Sequence, residues 1–168
     1  LLLQLEIPLE TVYAAVDLGS DLGIPVVLNP APAAPLDPRY LKKIQVLVPN
    51  ETELESLTGD QVASENDARR AAEKLLESGV SRVIVTLGGR GTLVVDSGGS
   101  IHVPAVPVSP RDTTGAGDAF IGSFAFFYVQ TGDVEVSVRR ANRYAALSTL
   151  SVGTQKSFYS YERFIASA

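Results

Sequence analysis

Asp112-Thr113-Thr114-Gly115-Ala116-Gly117-Asp118-Ala119-Phe120 runs from small and polar residues straight into an apolar segment, residues 120–129. Such a junction predicts a tight loop feeding a helix. The N–H groups of a helix's first turn lack intrahelical acceptors, and the helix dipole adds positive potential there, so the junction suits an anion. Asp118 places a carboxylate at its mouth, where a base beside a phosphate would stand. The plainer reading is a turn into a buried helix. Two other glycine motifs are excluded: Gly117 and Gly122 have P-loop spacing but no Lys follows, and Phe120 occupies the third glycine of a dinucleotide fingerprint.

Outward from this loop, apolar runs alternate with helical patterns. Strands are expected over 1–5, 25–28, 46–48 and 82–87, and helices over 8–22, 51–57 and 65–78. Pro8 suits a first helical turn, Gly23 a stop, and Ser64 a cap. Ala68, Ala71, Ala72, Leu75 and Leu76 form an apolar stripe on the third helix. The strands are short, rich in Val, Leu and Ile, and do not alternate, as parallel strands covered on both faces do not. Residues 92–96 and 100–104, joined by Ser97-Gly98-Gly99, read as an antiparallel hairpin. Helices follow over 117–130, 134–150 and 161–167, with a loop over 153–160. This order implies an α/β fold with an open, mostly parallel sheet flanked by helices, and residues 1–168 as part of a single domain.

Composition narrows the function. The chain has 168 residues, 45% hydrophobic and 20% charged, as ordinary globular proteins have. A net charge of −5 without a basic cluster argues against a nucleic-acid partner. The lack of Cys excludes disulfide and thiolate chemistry, and one histidine, His102, cannot build a multi-histidine metal site. The apolar stretch over 119–129 is too short to span a bilayer, and no signal-peptide pattern appears. Met is absent, and Leu1-Leu2-Leu3 reads as a buried strand, so the chain is expected to be a fragment of a longer protein.

In open α/β sheets ligands bind outside the carboxyl ends of the strands. Four polar segments fall there: Gln4-Leu5-Glu6, Asn29-Pro30-Ala31-Pro32, Pro49-Asn50-Glu51-Thr52-Glu53 and Thr86-Leu87-Gly88-Gly89-Arg90-Gly91. Parallel pairing puts all four on one rim. Each has a structural reading as well. Asn50 with Glu53 has capping-box spacing, yet a first-turn carboxylate can also face a hydrated Mg²⁺. Residues 86–91 are either a plain turn or a loop whose small residues let a nucleotide approach the backbone. Glu6 either satisfies a local donor or binds a sugar hydroxyl. His102 reads as a strand surface residue, Phe124, Phe126 and Phe127 as helix core, and Arg139, Arg140 and Arg143 as a solvated helix face.

Together these residues resemble the ribokinase-like sugar kinases, the PfkB family. The resemblance covers essentially the whole chain. Its most specific part is Asp112-Thr113-Thr114-Gly115-Ala116-Gly117-Asp118, similar to the family's C-terminal signature. Gln4-Leu5-Glu6, Asn29-Pro30-Ala31-Pro32-Ala33, Pro49-Asn50-Glu51-Thr52-Glu53 and Gly153-Thr154-Gln155 follow in family order.

The resemblance implies ATP-dependent phosphorylation of D-ribose at its 5-hydroxyl by a cytoplasmic enzyme whose full-length form is a homodimer. It implies Asp118 as catalytic base and substrate contact, and Gly115, Ala116 and Gly117 as anion-hole amides. Gly117 and Asp118 would flank the ATP phosphates, and Asn50 and Glu53 would organise Mg²⁺ and phosphate through water. Thr86, Leu87, Gly88, Gly89, Arg90 and Gly91 match the nucleotide loop, Asn142 an adenine-side position, and Glu6 a ribose-binding carboxylate. Asp112 and Thr114 match a potassium loop completed by Ser148, Ser151, Gly153 and Ser157. The family's front segment, with most sugar contacts and the lid strands, has no counterpart here. Sister kinases acting on fructose, a keto-deoxy sugar acid or a nucleoside are alternatives, as is a non-catalytic nucleotide-binding module.

Overall fold

The computed structural model describes residues 1–167. Its strands are β1 (Leu2–Leu3), β2 (Val27–Leu28), β3 (Val46–Leu47), β4 (Arg82–Thr86), β5 (Thr92–Asp96) and β6 (Gly99–Val103). Its helices are α1 (Leu9–Asp21), α2 (Pro38–Leu41), α3 (Glu51–Thr58), α4 (Glu65–Glu77), α5 (Ala116–Thr131), α6 (Val134–Ser148) and α7 (Tyr161–Ala166).

The six strands form one sheet in sequential order, β1-β2-β3-β4-β5-β6. The pairings β1–β2, β2–β3 and β3–β4 are parallel, with Leu2 opposite Val27, Val27 opposite Val46 and Val46 opposite Arg82. An α/β fold with an open, largely parallel sheet is therefore what the chain adopts. Helical crossovers separate the parallel strands, and all four residues of β2 and β3 are buried. Val12 and Val16 of α1, Leu54 of α3 and Ala68, Ala71 and Ala72 of α4 are buried with Leu47, Val83 and Val85 of the sheet. Burying each large apolar side chain contributes about 1.5–3 kcal/mol before chain entropy is counted.

Two compact units divide the chain. One comprises residues 1–87 and 93–102 and holds the sheet with α1 to α4. The other comprises residues 88–92 together with the chain from Val103 onward, and holds α5, α6 and α7. In the second unit, α7 is anchored by Phe164, whose ring lies 5.5 Å from Phe127 and 5.4 Å from Tyr144. The guanidinium of Arg140 covers Phe127 at 5.1 Å and that of Arg143 covers Phe164 at 4.9 Å. These two arginines are thus partners of the aromatic packing, and of the three only Arg139 lies on a solvated face, paired with Glu135 at 2.6 Å. Phe124 and Phe127 are buried as expected, whereas Phe126 is 46% exposed. Among the described residues, no helix is long and apolar enough to cross a membrane.

Differences from the sequence reading concentrate at element ends. The first strand is Leu2–Leu3, not the whole of 1–5, because the chain turns off the sheet at Gln4. The short helix α2 was not expected. Its signal was Asp37-Pro38: the Asp37 carboxylate accepts the Arg39 N–H at 2.9 Å as a cap, and Pro38 fills the first turn.

Candidate active site

The strand ends of the first unit converge as parallel pairing requires. Gln4 Nε2 donates to Asn29 Oδ1 at 3.1 Å, and Asn29 Nδ2 donates to the Val48 carbonyl at 2.8 Å and to Glu53 Oε2 at 3.4 Å. Glu53 closes a complete capping box: Asn50 Oδ1 accepts the Glu53 N–H, and the Glu53 carboxylate accepts both the Asn50 N–H and the Asn50 Nδ2 amide. A parallel bridge joins Asn50 to Thr86. Residues from all four strand ends, Gln4, Asn29, Asn50 with Glu53, and Thr86, therefore share one connected rim. Glu6 lies exposed just beyond β1.

Glu53 is 8% exposed. Burial raises its carboxyl pKa, and the Asn50 N–H and Asn29 amide oppose that shift. Both carboxylate oxygens already accept N–H donors. Among the described residues no cluster of three or more His, Cys, Asp or Glu could hold a metal directly.

The nucleotide-loop candidates continue from the end of β4. Thr86 is half-buried and Leu87 buried, and Gly88, Gly89 and Arg90 form an exposed 3₁₀ turn. Gly91 closes that turn by donating to the Gly88 carbonyl at 3.1 Å. Its φ of +99° is open to glycine, and a Cβ there would collide with the carbonyl oxygen of Val103. Immediately after it, the Thr92 hydroxyl donates to Asn142 Oδ1 at 2.7 Å. Asn142 Nδ2 in turn donates to the carbonyls of Val103 at 3.1 Å and Pro104 at 3.2 Å. Asn142, assigned to the adenine side by resemblance, is 9% exposed and bonded to its own chain through both ends of its amide.

Gly115 caps α5 with φ +77°, a left-handed turn that swings the chain into the helix. The Ala116 N–H donates to the Thr113 carbonyl at 3.1 Å, so in this state that amide is engaged within the loop. Asp118 is exposed in the first turn of the helix, as the loop-to-helix reading required. Ala119 and Phe120, which follow it, turn inward and are buried, and they anchor the turn that presents Asp118. A pocket of about 290 Å³ begins beside Asp118 and runs along α5, past Gly122 and Phe126 to Tyr159 and Phe164. Its aromatic walls do not match a polyphosphate.

Asp112 ties two loops together. Its carboxylate accepts the Thr114 N–H at 2.9 Å and the Gly153 N–H at 2.8 Å, while the Arg111 and Asp112 N–H groups both donate to the Thr149 carbonyl. The Gly153 N–H, followed by the Thr114 contacts, lowers the Asp112 pKa to about 2. Asp112, Thr114 and Gly153 of the potassium set are thus brought together, and Ser151 lies on the same loop. The buried Ser148 and Ser157 hydroxyls donate to their own turns, at the Ala145 and Thr154 carbonyls. Hard oxygen donors alone make up this set, which fits a monovalent cation. His102 is exposed, 3.8 Å from Glu65, and takes no part in either cluster.

Thr92 was not singled out from the sequence. Its signal was faint: one hydroxyl at the head of an otherwise apolar strand. Asn29 was placed on the rim, but its link to Glu53 needed coordinates.

The profile described as pfkB family carbohydrate kinase matches residues 2–160, and the chain belongs to that family. Proteins named deoxyribokinase from Salmonella typhi and Salmonella typhimurium are 50% identical over 165 residues, 98% of this chain and 54% of theirs. A ribokinase from Haemophilus influenzae is 40% identical over 157 residues, 94% of this chain and 51% of its own. The structure of an Arabidopsis thaliana ribokinase complexed with ribose and ATP matches with a TM-score of 0.94 at 32% identity, covering 98% of this chain and 54% of that one. A Thermotoga maritima ribokinase matches with a TM-score of 0.89 at 36% identity, covering 98% and 55%. The chain spans about half the length of the curated relatives it matches.

Proposed function

We propose that the protein to which this chain belongs transfers the γ-phosphoryl group of ATP to the 5-hydroxyl of a pentose, with Asp118 as the base. The observation that carries this reading is the exposed Asp118 carboxylate in the first turn of α5, directly behind the left-handed cap at Gly115. A new bond forms between the sugar oxygen and the γ-phosphorus. The bond from that phosphorus to the β–γ bridging oxygen breaks, ADP leaves, and the hydroxyl proton passes to Asp118. Backbone N–H groups at the start of α5, with Gly117 foremost, stabilise charge on the transferring group together with the helix dipole. Asn50 and Glu53 act on the Mg²⁺ side through water; the cation's chemistry there is neutralisation of phosphate charge. Residues 86–91 hold the nucleotide, with Asn142 on the same side. Asp112, Thr114, Ser148, Ser151, Gly153 and Ser157 serve K⁺, which would steady the loop leading to Gly115. Glu6 contacts the sugar. A homodimeric, cytoplasmic parent enzyme belongs to the same reading and rests on the family resemblance alone.

The sugar has two readings. D-ribose is supported by the resemblance of the rim residues and by relatives that bear the name ribokinase. 2-Deoxy-D-ribose is favoured by relatives at 50% identity that bear the name deoxyribokinase. ADP release by the full-length protein with D-ribose, 2-deoxy-D-ribose, fructose and a nucleoside tests both. Turnover with a pentose is expected. Sugar-independent ATP binding with no turnover on any of the four would leave a nucleotide-binding module and sink the kinase reading.

A further inference from the structure

The Glu53 carboxylate is held in two ways that differ in reach. The capping box is local: Asn50 and Glu53 belong to one helix start, so their mutual bonds fix Glu53 within α3 and not against the sheet. The Asn29 amide supplies the second hold, and it stands on the sheet. The Asn29 N–H donates to the Leu3 carbonyl at 2.9 Å, just beyond the end of β2. Its Nδ2 donates to the Val48 carbonyl at 2.8 Å and to Glu53 Oε2 at 3.4 Å. Both of these partners accept only, so the amide must turn its nitrogen towards them and its oxygen away. Gln4 Nε2 meets that oxygen at 3.1 Å. Asn29 is 5% exposed, so water offers its amide little in exchange for these partners. All of these residues belong to the sheet unit.

Among the described residues, Glu53 Oε2 accepts from the Asn50 N–H and from Asn29 Nδ2, and Oε1 accepts from Asn50 Nδ2. A carboxylate offers about four lone-pair sites, so Oε1 keeps room for a further donor. A water of a hydrated Mg²⁺ is a donor of that kind, and magnesium usually keeps several waters and takes few carboxylates. From this arrangement we infer that Asn29, backed by Gln4, is a positioning residue for Glu53 and sets where its carboxylate lies relative to the strand ends. The inference rests on the reading of Glu53 as a group on the Mg²⁺ side. The capping box alone lets the carboxylate move with the first turn of α3, whereas the Asn29 amide ties it to β2. Partners that orient a metal-side group in this way tune cation affinity without touching the metal.

The test uses the full-length protein with ADP and takes Mn²⁺ as the probe, its free concentration read by electron paramagnetic resonance. The variants are Asn29→Ser, whose side chain is too short to reach Glu53, Gln4→Met, Glu53→Gln, and each of the first two combined with Glu53→Gln. Asn29→Ser is expected to weaken Mn²⁺ binding about three- to fivefold, the scale of one hydrogen bond at the long end of its range. Gln4→Met should act in the same direction and less strongly. Neither should add anything in the Glu53→Gln background. ADP affinity measured without metal should stay at the wild-type value, a split that a general loosening of the fold does not produce. Wild-type Mn²⁺ affinity in both single variants overturns the inference. An equal loss with and without Glu53→Gln overturns it as well, because Asn29 then reaches the cation by another route. If Asn29→Ser does not fold, Gln4→Met at its half-buried position decides by the same criteria. Mn²⁺ affinity unchanged by Glu53→Gln alone brings down the underlying reading of Glu53 instead, which keeps the two failures distinct.

Discussion

The Asp112 carboxylate reaches across 41 residues of sequence to accept the Gly153 N–H at 2.8 Å, while its other oxygen accepts the N–H of Thr114 at 2.9 Å. One side chain thus couples the loop before α5 to the loop after α6. An acid held this way is a better proton donor than a free one, with its pKa lowered from 3.8 to about 2. Such a group contributes stability that is fully present above the unfolded-state value and is lost as the pH falls through the folded-state value. The stability gap between the wild type and Asp112→Asn is therefore expected to be constant above about pH 5, to shrink below pH 4 and to close towards pH 2. Urea unfolding of both proteins at a series of pH values reads this directly. A gap independent of pH would show that the two amides do not favour the ionised form.

The same pair predicts a cation effect. If the Asp112 and Gly153 loops serve potassium, the full-length enzyme should turn over faster in potassium than in sodium or a large organic cation. Asp112→Asn should remove the difference. Equal rates in all three salts would take the potassium role away from these loops.

Replacing Asp118 by Asn keeps the shape of the first turn of α5 but removes the proton acceptor. Turnover in the full-length enzyme should fall by about 10²–10⁴-fold, the usual contribution of a positioned base. Nucleotide affinity should change little. Near-normal turnover would exclude Asp118 as the base.

Gly91→Ala combines a backbone angle unfavourable to L-residues with a collision against the Val103 carbonyl. Strain of each kind costs about 1–3 kcal/mol, so thermal melts should show a marked loss of stability. Gly89→Ala, where an added Cβ meets nothing, should melt like the wild type. Equal melting of both variants would refute the close packing of the loop on the 103–105 segment.

At the rim, Asn50→Asp keeps the oxygen that caps α3 but sets a second carboxylate against Glu53 in place of the Nδ2 donor. At pH 7 this variant should be less stable than Asn50→Ser, which caps without the added charge. The deficit should shrink as the pH drops and the carboxylate pair takes up a proton. Urea midpoints at pH 7 and pH 4.5 check the sign, and a deficit that grows in acid would contradict it.

Much of this architecture could be read along the chain. Uninterrupted Val–Leu–Ile runs separated by amphipathic stretches imply parallel strands with helical crossovers, and the structure pairs the first four strands in that manner. Asn50 and Glu53, three residues apart before an apolar position, announced a capping box, and the box is complete. Periodicity failed where side chains answer to partners far off in sequence. Phe126 sits in an apolar run yet remains 46% exposed, because α5 is apolar on more sides than its neighbours cover. Arg140 and Arg143 look like a solvated face until Phe127 and Phe164 are found beneath them.

Local order in the sequence determined the elements, the turn at Gly115 and the exposure of Asp118, because helix starts, caps and tight turns depend on residues within one or two turns of each other. Tertiary structure alone decided the sequential strand order, the joining of Asn29 to Glu53, and the bond from Asp112 to Gly153. It also turned the Asn142 amide onto Thr92 and the Val103–Pro104 carbonyls. Each of these depends on which buried polar groups meet across long stretches of chain, and a polar group removed from water takes whichever partner the packing brings to it.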